Sequence, residues 1–151
     1  MDIQQGDVFW FNFGVPEGSE PGYSRPVIVI QNDMFNRSKI DTVVIIATTT
    51  NYELAHAPGN VLLKKGEGSL PKDSVANISQ IYTVDKSSLT EKIGTLSSTK
   101  IKQIIEGVKV LIVPVDKNYF EKIDTPDQGK GVKRPGGVTF RVGKKGVSKT
   151  G

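Results

Sequence analysis

Four β-branched residues in a row, Val27-Ile28-Val29-Ile30, constrain this chain more than any other feature. Successive side chains on a strand point to opposite faces, so an unbroken apolar run predicts a strand covered on both sides. Arg25-Pro26 stands directly before it. The proline ring disfavours helix at Arg25, which places a permanently charged guanidinium at the mouth of a stiff strand. Two uses are open to it there. It can pair with Glu20 at the surface, or it can take a phosphate, whose oxygens its planar donor fork matches.

The rest of the chain reads as short strands and one long helix. Residues 6–13 predict an aromatic-rich first strand, with Val8, Trp10 and Asn12 facing one way and Phe9, Phe11 and Phe13 the other. Trp10 and Phe11 read as core. Residues 14–24 carry Gly14, Pro16, Gly18, Pro21 and Gly22 and form a loop. After the strand at 25–31, Asn32 or Asp33 caps a short helical turn. Further strands are predicted at 42–50, 59–64, 74–84 and 91–96, separated by a loop at 51–58 and a turn at 65–72. Residues 74–84 alternate well enough to be a strand, with Val75, Asn77, Ser79, Ile81 and Thr83 on one face and Ala76, Ile78, Gln80, Tyr82 and Val84 on the other. Ser97 or Ser98 then caps a helix in which Ile101, Ile104, Ile105, Val108, Leu111 and Ile112 recur at helical spacing, and Pro114 ends it. Gly107 inside this helix costs roughly 1 kcal/mol relative to alanine, which packing has to offset. The set predicts a mainly β fold with helices, a small and highly curved sheet or barrel covered by a C-terminal helix.

Charge divides the chain in two. Residues 1–115 carry 11 Lys and Arg against 12 Asp and Glu, whereas residues 116–151 carry 9 against 4, so the net +4 belongs to the end of the chain. From Lys130 onward there are seven basic residues and no acidic one. We therefore expect one domain over 1–115 and a flexible, basic Gly/Lys-rich tail over 116–151, with 138–142 able to pair as a strand. With no cysteine and His56 as the single histidine, disulfides, thiolate metal sites and a histidine-pair nuclease site within one chain are excluded. No apolar run is long enough for a bilayer, and the N-terminus lacks the basic-then-apolar pattern of a signal peptide, so the cytoplasm is the expected setting.

Several separated blocks now fall in order: Gly6-Asp7-Val8, Gly18-Ser19-Glu20, Gly22, Arg25-Pro26-Val27, Val29-Ile30-Gln31-Asn32-Asp33, Asn36-Arg37, Ser79-Gln80-Ile81 and Thr83-Val84-Asp85-Lys86. Together, over about residues 4–113, they resemble the MazF/PemK toxin family. The resemblance implies an SH3-like small barrel of the MazF/CcdB type that forms a homodimer. It implies a metal-independent, cofactor-free endoribonuclease that cuts single-stranded mRNA at a short motif, leaving a 2′,3′-cyclic phosphate and a 5′-hydroxyl. It also implies inhibition by a labile acidic antitoxin. The family's catalytic arginine falls on Arg25, its catalytic threonine on Thr48 and its loop glutamate on Glu20. Ser19 and Gln80 match groove positions near the RNA. Some PemK-type relatives carry an acidic residue just before this glutamine, proposed as general base; here that position is Ser79.

The residues can support that chemistry. Arg25 suits the charge that grows on the phosphate in the transition state. Thr48 can donate to a non-bridging oxygen, or it can be satisfied by backbone at the end of its strand. Glu20 can accept a proton or orient Arg25, and orientation suits an ordinary carboxylate better. His56 sits in a polar loop without a motif. Bases splayed over a groove would meet Phe13, Tyr23, Asn36, Tyr52, Asn77 and Gln80, and Lys64, Lys65 and Lys72 can add positive charge. Two other readings stay open: a non-enzymatic toxin binding a target such as DNA gyrase, in the manner of CcdB, and a catalytically silent nucleic-acid-binding barrel.

Overall fold

The structure, a computed structural model, describes residues 2–15, 18, 23–116, 118, 132–133 and 139–140. Six strands form one antiparallel sheet: β1 (Asp7–Asn12), β2 (Ser24–Val29), β3 (Thr42–Thr49), β4 (Val61–Leu63), β5 (Ser74–Asp85) and β6 (Glu91–Thr95), in the order β4-β5-β3-β2-β1-β6. Helix α1 (Asp33–Asn36) follows β2, and α2 (Ser98–Ile112) follows β6. The loop expected at 51–58 contains a 3₁₀ turn at Tyr52–His56, and another turn of this kind lies at Glu67–Ser69. That second turn comes round onto β6 at the opposite edge of the sheet. The approach is so close that a Cβ on Gly94 would collide with the Gly68 carbonyl. The sheet is therefore a half-barrel, which agrees with the mainly β, helix-covered barrel expected. In the tail, β7 (Val132–Lys133) pairs with β8 (Thr139–Phe140); β8 falls within 138–142, the stretch expected to be able to pair, and β7 does not. The rest of 119–151 lies outside the described residues. Among the described residues no helix is long and apolar enough to cross a membrane.

The β-branched run does what its composition demands. Ile28 and Ile30 enter one core with Val8, Ile46, Ile78, Ile101 and Ile104. Val27 and Val29 enter a second core on the other face with Phe9, Val43, Ile45 and Leu89, against which Phe11, Phe13 and Tyr82 pack. Full burial of one such side chain stabilises by roughly 1.5–3 kcal/mol, so two-sided coverage makes β2 the axis of the fold.

Two expectations from periodicity are corrected. Strict alternation fails in β5. Ala76, Ile78 and Ile81 all pack in the first core, whereas Tyr82 and Val84 pack in the second. The cause is a bulge: Ile46 of β3 pairs Ile81 and Thr48 pairs Ala76, so Ala47 alone stands opposite the residues between them. Extra residues on one strand re-aim the side chains that follow. Asn60 holds the bulge by accepting from the Ile78 N–H at 2.9 Å and donating to the Leu54 carbonyl at 2.8 Å.

The second correction concerns α2. Ser97 caps it, accepting from the Lys100 N–H at 3.2 Å. Its buried face is Ile101, Ile104, Gly107 and Val110, while Leu111 and Ile112 of the expected stripe remain 48% and 67% exposed. A Cβ on Gly107 would collide with the Gly59 carbonyl. This backbone contact draws one i+3 row toward the strands and turns the bulkier C-terminal residues outward.

Several motif residues are scaffold. Asp7 is fully buried; it accepts from the Gln4 N–H at 2.9 Å and the Thr95 hydroxyl at 2.8 Å, and pairs with Lys92 at 3.2 Å, tying β1 to β6. Lys86 donates to the carbonyls of Asn36 and Ser38 at 3.0 and 3.2 Å, closing the end of α1.

Candidate active site

Arg25, the second residue of β2, pairs Phe11 of β1, while Val27 pairs Ala47 of β3. That register brings the end of β3 beside the start of β2. The half-buried Arg25 donates through Nη1 to the Thr48 carbonyl at 3.2 Å. Thr48 is 2% exposed, and its hydroxyl donates to the Pro26 carbonyl at 2.7 Å. Both residues line a cleft of about 340 Å³ with Trp10, Tyr23, Ser24, Pro26, Thr49, Thr50, Pro71, Lys72 and Ser74. Its described lining holds two cations, Arg25 and Lys72, a row of hydroxyls, and no carboxylate. Such a lining suits an anion with several acceptor oxygens.

The predicted residues are distributed unevenly. Arg25, Thr48 and Tyr23 meet at the cleft. Tyr23 is 65% exposed and has φ +58°, an uncommon conformation for an aromatic residue. It is held there by two backbone hydrogen bonds with Phe13 and Gly14. Ser19 and Glu20 lie outside the described residues. Asn77 and Gln80 lie in the β5 bulge, beside Thr48 in the sheet but not in the cleft lining. Asn77 Oδ1 accepts from Ser79 at 3.3 Å, and Gln80 Oε1 accepts from the Tyr82 hydroxyl at 2.7 Å. Asn36 sits beyond the far end of β2, buried, bonded to the Gln31 carbonyl at 2.8 Å and to Asp33 at 3.1 Å. A strand rises about 3.3 Å per residue, so Asn36 and Arg25 of one chain do not share a phosphate. Phe13 packs on Phe11 and Tyr82 instead of entering the cleft. Exposed His56 also lies outside its lining.

Sequence reasoning placed Trp10 in the core; it is half-buried and lines the cleft. The signal was its register: alternation puts it on the Val8 face, but it pairs Pro26 at the end of β2 where the cleft opens. Thr49 and Thr50 follow Thr48 into the cleft along the chain, and Lys72, expected only to add positive charge, is brought there by tertiary structure.

Two carboxylates of the domain, Asp33 and Asp73, are held below their ordinary value of 3.8. Asp33 is lowered first by the Gln5 N–H and then by the Asn36 amide; Asp73 is lowered first by the Lys65 N–H and then by the Tyr52 hydroxyl. Depressed folded values make the stabilising contribution complete above the unfolded value and lost as pH falls through the folded one. Stability should therefore decline as pH falls below about 4, and Asp33→Asn should make that decline shallower, as read by thermal melting between pH 5 and pH 2.5.

Residues 4–112 match the family model described as PemK-like, MazF-like toxin of type II toxin-antitoxin system. The chain belongs to the PemK/MazF toxin family. It is 38% identical over 109 residues to the Mycobacterium bovis protein named endoribonuclease MazF2, covering 72% of this chain and 96% of that one. It is 37% identical over 108 residues to endoribonuclease MazF of Staphylococcus saprophyticus, covering 72% and 89%. Two solved structures share the fold. One is a mycobacterial endoribonuclease in complex with its cognate antitoxin, with TM-score 0.60 at 20% identity over 76% of this chain and 99% of that one. The other is MazF from Deinococcus radiodurans, with TM-score 0.61 at 18% identity over 74% and 97%. The PemK/MazF match covers the half-barrel and α2 and ends at residue 112.

Proposed function

We propose that this PemK/MazF chain is a toxin endoribonuclease that cuts single-stranded mRNA at a short motif, in the cytoplasm, and is inhibited by a cognate acidic antitoxin. The observation that carries the reading is the cleft in which Arg25, Lys72 and the β3 hydroxyls converge without a described carboxylate. In the reaction the 2′-oxygen loses its proton and bonds to the adjacent phosphorus, the P–O5′ bond breaks, and the 5′-oxygen gains a proton. The products are a 2′,3′-cyclic phosphate and a 5′-hydroxyl. Arg25 stabilises the charge that develops on the phosphorane oxygens. A guanidinium offers donors and no acceptor, so Arg25 does not take the 2′-proton. Glu20, by its place in the Gly18-Ser19-Glu20 motif, orients Arg25. Ser19, Tyr23, Asn77 and Gln80 contribute to the RNA groove, and Asn36 serves it only at a distance from the cut phosphate or from the second copy of a homodimer. An extended acidic antitoxin segment ordering across the groove would occupy the cations that RNA needs. The gyrase-binding alternative is not favoured, since the matched relatives are named endoribonucleases.

The test is incubation of purified protein with long single-stranded RNA in EDTA, followed by mapping of the ends. Fragments ending in cyclic phosphate at one recurring motif are expected; intact RNA would overturn the reading.

Thr48 offers a second check. Thr48→Val deletes the hydroxyl and its hydrogen bond to the carbonyl of half-buried Pro26, a bond worth about 0.5–1.5 kcal/mol. Thr48→Ser restores it. If the hydroxyl also serves the phosphate, Thr48→Val slows cleavage well below the melting temperature and Thr48→Ser recovers it. Lower stability with an unchanged rate would make Thr48 purely structural.

A further inference from the structure

The groove continues past Arg25. A second cleft of about 480 Å³ is lined by Thr50, Tyr52, Lys65, Pro71, Lys72 and Asp73. It shares Thr50, Pro71 and Lys72 with the first, so an extended strand lying in one enters the other. Tyr52 is 44% exposed there, yet it is fixed at both ends. Its hydroxyl donates to Asp73 Oδ2 at 3.1 Å, and Asp73 Oδ1 accepts from the Lys65 N–H at 2.7 Å. At its backbone, Asn51 caps the turn by accepting from the Glu53 N–H at 3.2 Å and anchors it by donating to Thr49 Oγ1 at 3.1 Å.

We propose that Tyr52 is the stacking platform for the base next to the cleaved phosphodiester, with Lys72 beside the phosphate between the two clefts and Asp73 as the positioning residue that fixes the ring. This rests on the endoribonuclease reading. Unstacked bases of single-stranded RNA gain most from aromatic faces flanked by positive charge. A ring already immobilised by its own hydroxyl has less rotamer freedom to lose when a base settles on it. The arrangement of cation, tethered ring and second cation therefore fits one nucleotide and the phosphate it shares with its neighbour.

The test uses the full chain and short RNAs bearing the motif mapped for the parent, each with one nucleotide made abasic. Tyr52→Ala should raise KM roughly ten-fold, the size of one lost stacking contact, with kcat nearly unchanged. Tyr52→Phe, which keeps the ring and cuts only the tether, should fall between. One abasic substrate, at a position flanking the cut, should cost the parent a similar factor and cost Tyr52→Ala nothing further, since the two changes delete the same contact. An unchanged KM in Tyr52→Ala overturns the platform, and so does a penalty that is the same at every abasic position. The abasic scan on the parent needs no variant: if neither flanking position matters, the platform is overturned however the variants fold. A parent that leaves all RNA intact overturns the endoribonuclease reading too, whereas a parent that cuts as Tyr52→Ala does, with the same KM, overturns the platform alone.

Discussion

Arg25→Ala should lose cleavage by about 10²–10³-fold or more, the usual cost of deleting one preorganised electrostatic donor, while the protein stays folded. The guanidinium is half-buried at a strand end and lies outside both apolar cores. Its loss removes the donor to the Thr48 carbonyl, a bond worth about 0.5–1.5 kcal/mol, and opens no cavity in the core. Arg25→Lys should recover little, because an ammonium keeps the charge without the planar fork. Single-turnover rates on RNA containing the mapped motif, beside melting curves, separate the two effects. Cleavage within a few-fold of the parent in a folded Arg25→Ala protein would remove Arg25 from the chemistry and require another group in the cleft.

Gly107→Ala should destabilise the domain, although alanine is the better helix former. By propensity alone the change gains about 1 kcal/mol. In this structure the new Cβ would collide with the backbone carbonyl of Gly59, and Gly59 itself has φ +82° with its own close approach to Gly107. Backbone cannot rotate aside as a flexible side chain can. Either α2 lifts off the sheet, exposing Ile101 and Ile104, or the chain leading into β4 shifts. Forced overpacking of this kind typically costs about 1–3 kcal/mol, so a net loss and a melting temperature several degrees lower are expected. A melting temperature equal to the parent's or higher would mean that α2 does not sit against the Gly59 turn.

The strand and helix framework was legible because its signals are local. A β-branched run after Arg25-Pro26 can be satisfied only by two-sided burial, and the structure supplies a core on each face of β2. The Ser97 cap and Pro114 bracket α2 through backbone chemistry that needs no tertiary partner. The family, too, was legible, because separated motif blocks keep their order and spacing; several of those residues, Asp7 and Lys86 among them, are there to tie elements together.

What sequence by itself determined, then, is the set of elements, the two-sided character of β2 and the position of Arg25 at its mouth. Only tertiary structure decided which side chains share the cleft. The β5 bulge breaks a period of two, and no local pattern announces it, because its partner Asn60 lies on another element. Trp10 reads as core from its apolarity and becomes a cleft wall because its register partner is Pro26. Lys72 and Tyr52 stand far from Arg25 in the chain, and the curl of the sheet brings their clefts together. The buried face of α2 was likewise settled by a glycine meeting a carbonyl rather than by the apolar count along the helix. Periodicity reports which way a side chain points on an ideal element; bulges, close backbone approaches and strand ends decide what it meets there.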